Sequence, residues 1–386
     1  MPPKHLPLRT ALIGLSSSAA TSWAANAHLP ALLSAPGRKN YKITALLNSS
    51  ENAAKSAVAT YNLPADTKTY GNPAQLAADP DVDVVICNTR VDSHYETIIP
   101  SVRAGKDVYV EWPIAGTKEH IREIVDAARA SGSRVAVGLQ RRWAPPVLKV
   151  GELVDGGEGR LGKVLSSEVR VFGGSRDREI LPKGLRYFSQ REIGGNVIVI
   201  GVAHVLDSVL SAVGELDPAS VQAKTQIQRP NVRIRDPATN EIIDKVVSDV
   251  PDLLSLNGII SAPQAAPDAT LSLLFRRGQP FPDTPALTWT VNCEHGEIRL
   301  VSPSSTSFET DGKDAPVTIH VHTFDDDVVT PVEWTWSDTQ KELPLPARNV
   351  LTPLIAFAKQ QGEGDGWVSL EDAARRADLI EGFFKN

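Results

Sequence analysis

The first residues whose types and spacing could do chemistry are Gly14-Leu15-Ser16-Ser17-Ser18-Ala19, directly after the apolar run 8–15, LRTALIGL. A dinucleotide turn needs a tight bend, close backbone approach to a pyrophosphate, and a helix N-terminus aimed at the negative charge. Gly14 can make the bend. Ser16 and Ala19 stand where the second and third glycines of G-x-G-x-x-G would fall, and both are small enough for close approach. Taken alone, the stretch reads equally well as an ordinary serine-rich loop. Its context favours the phosphate reading, because a strand precedes it, a helix candidate (22–34) follows, and a second strand, YKITALL at 41–47, comes about 30 residues on. That strand runs into Asn48-Ser49-Ser50. An acidic residue there would take the ribose 2′-hydroxyl and select NAD. None is present, so Ser49 and Ser50 point to a 2′-phosphate and to NADP, with NAD the alternative. Lys55 is a candidate counter-charge or a plain solvated helix lysine.

Other side chains able to handle protons or charge lie further on. His204 stands in an apolar helical stretch, roughly 193–213, with Asp207 three residues on, close enough on a helix to orient its ring. A buried structural histidine is the competing reading. Tyr187 and Lys183, in Lys183-Gly184-Leu185-Arg186-Tyr187, precede that helix. Arg141 and Arg142 follow the last strand of the first domain and are candidate substrate cations or ion-paired surface groups. His320 and His322 alternate beside Asp325-Asp326-Asp327 without metal-ligand spacing, so no metal is expected and the acidic run reads as a solvated turn.

The elements that must carry these residues can be read in outline. Up to residue 140, strand-like and helix-like segments alternate: 41–47, 81–89 (DVDVVICNT), 107–112 (DVYVEW) and 134–140 (RVAVGLQ) as strands. Helices fall at 51–62, at 93–105 with Ser93 or Asp92 as cap and Pro100 bending it, and after Thr117. Repeated βα units give a parallel sheet with helices on both faces. Beyond 141 the pattern turns to strand alternation in VLSSEVRVF, SVQAKTQIQ, ATLSLLFRR and LTWTVNCEHGEIRLV, with HGE as a hairpin turn and closing helices at 350–361 and 369–384. Trp334 and Trp336 read as one face of a strand. The expected fold is α/β: an N-terminal Rossmann doubly wound parallel sheet and a C-terminal α+β domain with a large, mostly antiparallel sheet. The expected boundaries are a flexible arm at 1–7, the dinucleotide domain at 8–140 and a substrate and dimerisation domain at 141–386.

Composition sets outer limits. The chain has 386 residues, 40 basic against 46 acidic, a net charge of -6, 41% hydrophobic and 22% charged residues. That balance suits a globular protein and argues against a general nucleic-acid or anionic-membrane surface. The two cysteines, Cys87 and Cys293, have no metal or disulfide spacing. With no apolar signal core and no membrane-length run, a cytoplasmic location is expected.

Several motifs together resemble one family. DVVICNTRVDSHY at 83–95 and DVYVEWP at 107–113 are similar to the glucose–fructose oxidoreductase and inositol dehydrogenase (Gfo/Idh/MocA) superfamily. A narrower resemblance is to its branch of fungal galactose-gene repressors. It is carried by Ser22-Trp23 with His28, Ile43-Thr44-Ala45-Leu46, His94-Tyr95-Glu96, Val110-Glu111-Trp112, Leu139-Gln140 with Arg142, and Pro251-Asp252-Leu253-Leu254. The resemblance implies cofactor contacts from Gly14, Leu15, Ser16, Ser17, Ser18, Trp23, Asn48, Ser49, Ser50, Asn88, Thr89, His94, Glu111, Trp112 and Gln140. It implies a homodimer, and it puts the His204 helix on the substrate side with Trp112, Arg141 and Arg142.

The sequence departs from the dehydrogenases at two places. Trp112 stands where they have the lysine of Glu-Lys-Pro, and Ile200 stands where they have an aspartate four residues before the histidine. His204, Tyr187 and Lys183 are then the candidate catalytic groups. Two functions stay open. One is an NAD(P)-dependent oxidoreductase acting on a small carbonyl, imine, sugar or polyol. The other is a catalytically silent dinucleotide-binding regulator that holds a transcription-activator peptide, as the repressor branch implies. The charged stretch Gly173-Gly174-Ser175-Arg176-Asp177-Arg178 departs from the tyrosine- and glycine-rich segment of the repressors and favours the enzyme.

Overall fold

The computed structural model describes residues 5–16, 22–156, 161–173, 177–311, 315–360, 362 and 365–385. Residues 1–4 of the expected arm lie outside that set, and residues 5–7 are exposed. The chain forms two compact units. One takes the residues up to Gln140 together with Glu192–Gly195 and Trp336–Ala377; the other takes Arg141–Arg191, Asn196–Thr335 and the last residues from Asp378.

The first unit is built on strands β1 (Leu8–Ile13), β2 (Tyr41–Leu47), β3 (Lys68–Tyr70), β4 (Val84–Cys87), β5 (Asp107–Glu111) and β6 (Val135–Gly138). These are parallel and lie in the order β6-β5-β4-β1-β2-β3. Strands β4, β5 and β6 are buried along their whole length, as expected when helices cover both faces of a parallel sheet. The order reverses beside β1, so the carboxyl ends of β1 and β4 flank a switch point, where open α/β sheets bind ligands.

Local chemistry sets the helix ends. Ser50 caps Glu51–Thr60 by accepting from the Ala53 amide at 3.1 Å. Thr117 caps Lys118–Ser131 by accepting from His120, and Gly132 ends that helix in the left-handed conformation (φ 73°). The expected cap at Ser93 or Asp92 is not made. The Ser93 hydroxyl donates to the Arg90 carbonyl at 2.7 Å, and Asp92 pairs with Arg90. The late helix Leu345–Ala358 joins the core of this unit, with Val350, Leu351, Leu354 and Phe357 all buried against it. The two-residue strand Val368–Ser369 then adds antiparallel to β6. Trp336 is buried at the start of this region rather than sharing a strand face with Trp334, whose indole donates to the Val317 carbonyl.

The second unit continues the numbering with β7 (Val164–Gly173), β8 (Ile180–Pro182), β9 (Glu215–Leu216), β10 (Gln222–Gln226), β11 (Asn231–Arg235), β12 (Ile242–Val247), β13 (Leu253–Ser261), β14 (Ala265–Arg277), β15 (Leu287–Cys293), β16 (Gly296–Ser302), β17 (Thr318–Thr323) and β18 (Val328–Val332). The main sheet runs β10-β13-β14-β7-β15-β16-β17-β18, with β9 beside β13; only the β14–β7 pairing is parallel. Strict alternation, as in β15 (Leu287, Trp289, Val291 and Cys293 inward), buries one face. The fold is therefore the expected Rossmann-type parallel sheet followed by a mostly antiparallel, mixed α/β domain. A small sheet, β12-β11-β8, was not foreseen. Its β12 is exposed nearly throughout, so it carries no burial alternation for a sequence reading to detect.

Candidate functional site

In the first unit, five parallel strands deliver the candidate cofactor residues to one edge: Gly14 after β1, Asn48 after β2, Asn88 after β4, Trp112 after β5 and Gln140 beyond β6. Gly14 has φ +85°, and a Cβ there would come within 3.1 Å of the Asn88 carbonyl and the Thr89 methyl. The bend therefore needs glycine on two counts, conformation and space. Leu15 is fully buried and offers its carbonyl to the Asn48 amide at 2.8 Å; the Ser16 carbonyl accepts from the Tyr61 hydroxyl. Ser17 and Ser18 lie outside the described residues.

Unsatisfied polar atoms occur along this edge. Among the described residues, both amide atoms of Asn88 are buried without a hydrogen-bond partner, as are Asn48 Oδ1 and Gln140 Oε1, and Trp23 Nε1 earlier in the chain. A native interior pairs the great majority of such groups, so these atoms at a switch point are available to a polar ligand. Donors and acceptors of this kind suit the ribose, amide and phosphate groups of a dinucleotide, and the residues present fit that group.

The remaining expected contacts are placed as follows. Ser49 is exposed, and Ser50 uses a lone pair as a helix cap, which leaves its proton free to donate. Lys55 pairs with Glu51 at 2.6 Å, which favours the plain reading of that lysine. Thr89 holds the Cys87 thiol through its hydroxyl at 3.5 Å. Both His94 ring nitrogens face backbone carbonyls, Pro113 and Thr89, each at 2.8 Å. Burial lowers its pKa, so the ring is held neutral and donates to one carbonyl at a time. His94 is therefore a clasp between the exits of β4 and β5, with its ring engaged by backbone. Glu111 is bonded to His28, Oε1 to Nε2 at 2.6 Å, in a buried pair. A Cβ on Gly138 would fall 2.5 Å from the Glu111 carboxylate, so glycine there makes room for the pair. Trp112 is buried.

In the second unit, Asn196 caps the segment carrying His204, its side-chain oxygen accepting from the amides of Ile198 and Val199 at 3.0 Å. The first turns, Val197–Val202, are wound wide with i→i+5 bonding, and Ala203–Val213 continues as a regular helix. His204 is buried and its Nδ1 has no hydrogen-bond partner. Burial first, and the Arg141 cation second, push its pKa down to about 3. Asp207 does not orient this ring. It is bonded to Arg142 through two contacts of 2.7 Å. Arg141 lies 3.6 Å from Glu309. Lys183 is a surface side chain paired with Asp236 at 3.5 Å, and the Tyr187 ring packs edge-on against Phe188. Both therefore have structural settings of their own. No group of metal-ligating side chains occurs among the described residues.

Strand order and the glycine bend define a Rossmann-type parallel-sheet protein, and the orphaned amides fit a dinucleotide. Residues 8–139 match the GFO_IDH_MocA group, an oxidoreductase family with an NAD-binding Rossmann fold, and residues 145–302 match the Gal80p C-terminal domain. The chain thus pairs a first segment similar to that oxidoreductase family with a second similar to the Gal80p C-terminal domain. It is 29% identical to the dehydrogenase aclE of Aspergillus oryzae, over 77% of this chain and 77% of that protein. It is 24% identical to the galactose/lactose metabolism regulatory protein GAL80 of Saccharomyces cerevisiae, over 77% of this chain and 67% of that protein. The fold superposes on a super-repressor mutant of Gal80p from the same yeast with a TM-score of 0.83 at 20% identity, covering 98% of this chain and 95% of that one.

Proposed function

We propose that the protein is an NAD(P)-dependent oxidoreductase that moves a hydride between a nicotinamide and a small carbonyl, imine, sugar or polyol, with NADP the preferred cofactor. The observation that carries this reading is Asn88, with both amide atoms buried and unpartnered beside the Gly14 bend. The NADP preference rests on Ser49 and Ser50 and on the absence of an acid at residues 48–50. When bound, the dinucleotide supplies or accepts the hydride. The chain's own residues then bind and orient: the backbone at Gly14, Leu15 and Ser16 takes the diphosphate side, and the amides of Asn48, Asn88 and Gln140 take ribose and nicotinamide groups.

His204 is the candidate proton-handling group, with Arg141 as its neighbouring charge. With a pKa near 3 it stays neutral at physiological pH. It can share a hydrogen bond, but it delivers no proton as an imidazolium. That setting suits a substrate needing little acid assistance, such as a carbon–nitrogen double bond already carrying the positive charge. It suits an alcohol dehydrogenation poorly. Purified protein, mixed with NADPH or NADH and a panel of carbonyl, imine, sugar and quinone compounds, is expected to consume the reduced cofactor with one class. Failure of both nucleotides to bind defeats the reading.

A second reading, a dinucleotide-binding regulator that holds a transcription-activator peptide, is favoured by one group of observations. Trp112 and Ile200 replace the proton-handling residues of the dehydrogenases, and Arg142 engages Asp207. Tight cofactor binding with no turnover on any class selects it. Both readings include a second copy of this chain as partner, checked by light scattering. Both also include a cytoplasmic location, in keeping with the absence, among the described residues, of any helix long and apolar enough to cross a membrane.

A further inference from the structure

Several arginines in the second unit are matched to carboxylates: Arg142 to Asp207, Arg186 to Asp244, Arg233 to Glu179, Arg299 to Glu297. Another group is not. Arg170, Arg178, Arg229, Arg276 and Arg277 come together around the ends of β7 and β14, and among the described residues none of their guanidinium groups binds a carboxylate. Arg276 and Arg178 each donate to the same neutral acceptor, the Gln279 carbonyl, at 2.9 and 3.1 Å. Arg277 donates twice to the Arg178 carbonyl, at 3.2 and 2.9 Å. The Arg276 guanidinium lies 5.1 Å from the centre of the Phe172 ring and that of Arg170 5.9 Å.

The backbone builds this crowding. Phe172 pairs directly with Arg276 across β7 and β14, and Arg170 is two residues from Phe172 on the same strand, so all three share one face. Gly278, at φ +93°, turns the chain out of β14 so closely that a Cβ would fall 2.3 Å from the Arg178 side chain. Asp252, the acid that acts on both Arg276 and Arg277, is already committed: it is buried and accepts from the amides of Gln228 and Arg229 at 2.6 and 3.0 Å. Burial lowers the pKa of Arg276, and the cations of Arg178 and Arg229 lower it further. Like charges are held together here with no carboxylate hydrogen-bonded to any of the guanidinium groups among the described residues; Asp252, and toward Arg277 also Asp177 and Glu179, offset the repulsion only through space, and a bound anion would relieve what remains.

We infer that Arg276 and Arg170 beside Phe172, with Arg178 sharing the Gln279 carbonyl and Arg229 close enough to act on Arg276, form a binding site for a doubly charged oxyanion group, a phosphate monoester or a dicarboxylate, separate from the dinucleotide edge of the first unit. Guanidinium forks match either anion, and a cluster of them favours a dianion over a monoanion.

The test is calorimetric titration of the full-length protein at low salt, with NADPH present in excess so that the dinucleotide cradle is filled. Inorganic phosphate is one probe and succinate the other, with chloride at matched ionic strength as the control. One of the two is expected to bind saturably where chloride does not, and the stronger probe names the anion class. Arg229→Gln and Arg276→Gln are each expected to weaken it at least tenfold, and Arg299→Gln to leave it unchanged. Among the described residues the Arg229 side chain makes no hydrogen bond or ion pair that folding would miss, so it keeps the test valid if Arg276→Gln fails to fold. Absence of saturable binding, or equal loss in Arg299→Gln, overturns the site. NADPH affinity is measured in the same variants; a variant that loses anion but keeps NADPH separates this site from the proposed cofactor function.

Discussion

At the scale of single residues, the sequence places the candidate groups but does not show what they are bonded to. Asn88 stands in DVVICNT and reads from the sequence as a strand exit. Only the structure shows that both its amide atoms are buried without partners. That observation has an unusual consequence. Replacing an unsatisfied buried amide by an apolar side chain of similar size removes a desolvation penalty of about 1–3 kcal/mol. Asn88→Leu is therefore expected to leave the free protein as stable or more stable in urea, while NADPH affinity falls at least about tenfold, or roughly 1.4 kcal/mol. Equal affinity in the variant would remove Asn88 from the cofactor site. His94 marks the opposite limit. It sits where the family resemblance puts a cofactor contact, but two carbonyls claim its ring, and no spacing rule encodes the position of a carbonyl.

His204 makes a pH prediction at the same scale. Its folded pKa, about 3, lies below the ordinary 6.5, so the folded state excludes a proton that the unfolded chain accepts. The associated stability is complete above pH 6.5 and is lost as pH falls from there toward 3. The slope is about 1.4 kcal/mol per pH unit over that window. Urea unfolding of wild type and His204→Leu at pH 7.5 and pH 5 should therefore show the difference between them moving in favour of the variant at the lower pH. A pH-independent difference would mean that the ring is not held neutral in the fold.

At the scale of elements, capping residues and apolar periodicity were legible, and irregular winding was not. Thr117 and Gly132 delimit their helix as their types imply, whereas the cap read at Ser93 or Asp92 is not made. The apolar stretch around 193–213 reads as one helix, but it starts at Val197 with wide turns, because Asn196 takes two amides and fixes where winding begins. Gly194, at φ +79°, packs so tightly on Gly116 that a Cβ would fall 2.5 Å from its Cα. Asn196→Ala leaves two buried amides without their acceptor. A cost of about 1–2 kcal/mol is expected from denaturant unfolding. If wide winding serves to position His204, any turnover should fall in the same variant. Unfolding unchanged within error would mean that the cap does not set the register.

At the scale of the whole molecule, the sheet types were readable from the change of pattern near residue 141, because buried parallel strands and half-exposed antiparallel ones have different periods. What a local reading could not supply is which unit a late segment joins. Nothing in 345–358 distinguishes a helix that closes the second domain from one that returns to the first. Its partners lie far back in the chain. Leu351, Leu354 and Phe357 pack into the core of the dinucleotide unit, and the Tyr41 hydroxyl donates to the Leu354 carbonyl at 2.5 Å. Phe357 is fully buried, set edge-on to Tyr109 and Trp367 with the Arg134 guanidinium 4.7 Å from its ring centre. Phe357→Ala should cost about 3–5 kcal/mol through lost burial and the cavity left behind. The loss should fall on the unit that carries the cofactor residues, although the substitution is distant from them in sequence. NADPH at about 100 times its dissociation constant should then restore about 2.7 kcal/mol by mass action. A loss below about 1 kcal/mol would mean that the helix is not part of that core. A full loss with no rescue by nucleotide would separate this core from the binding edge.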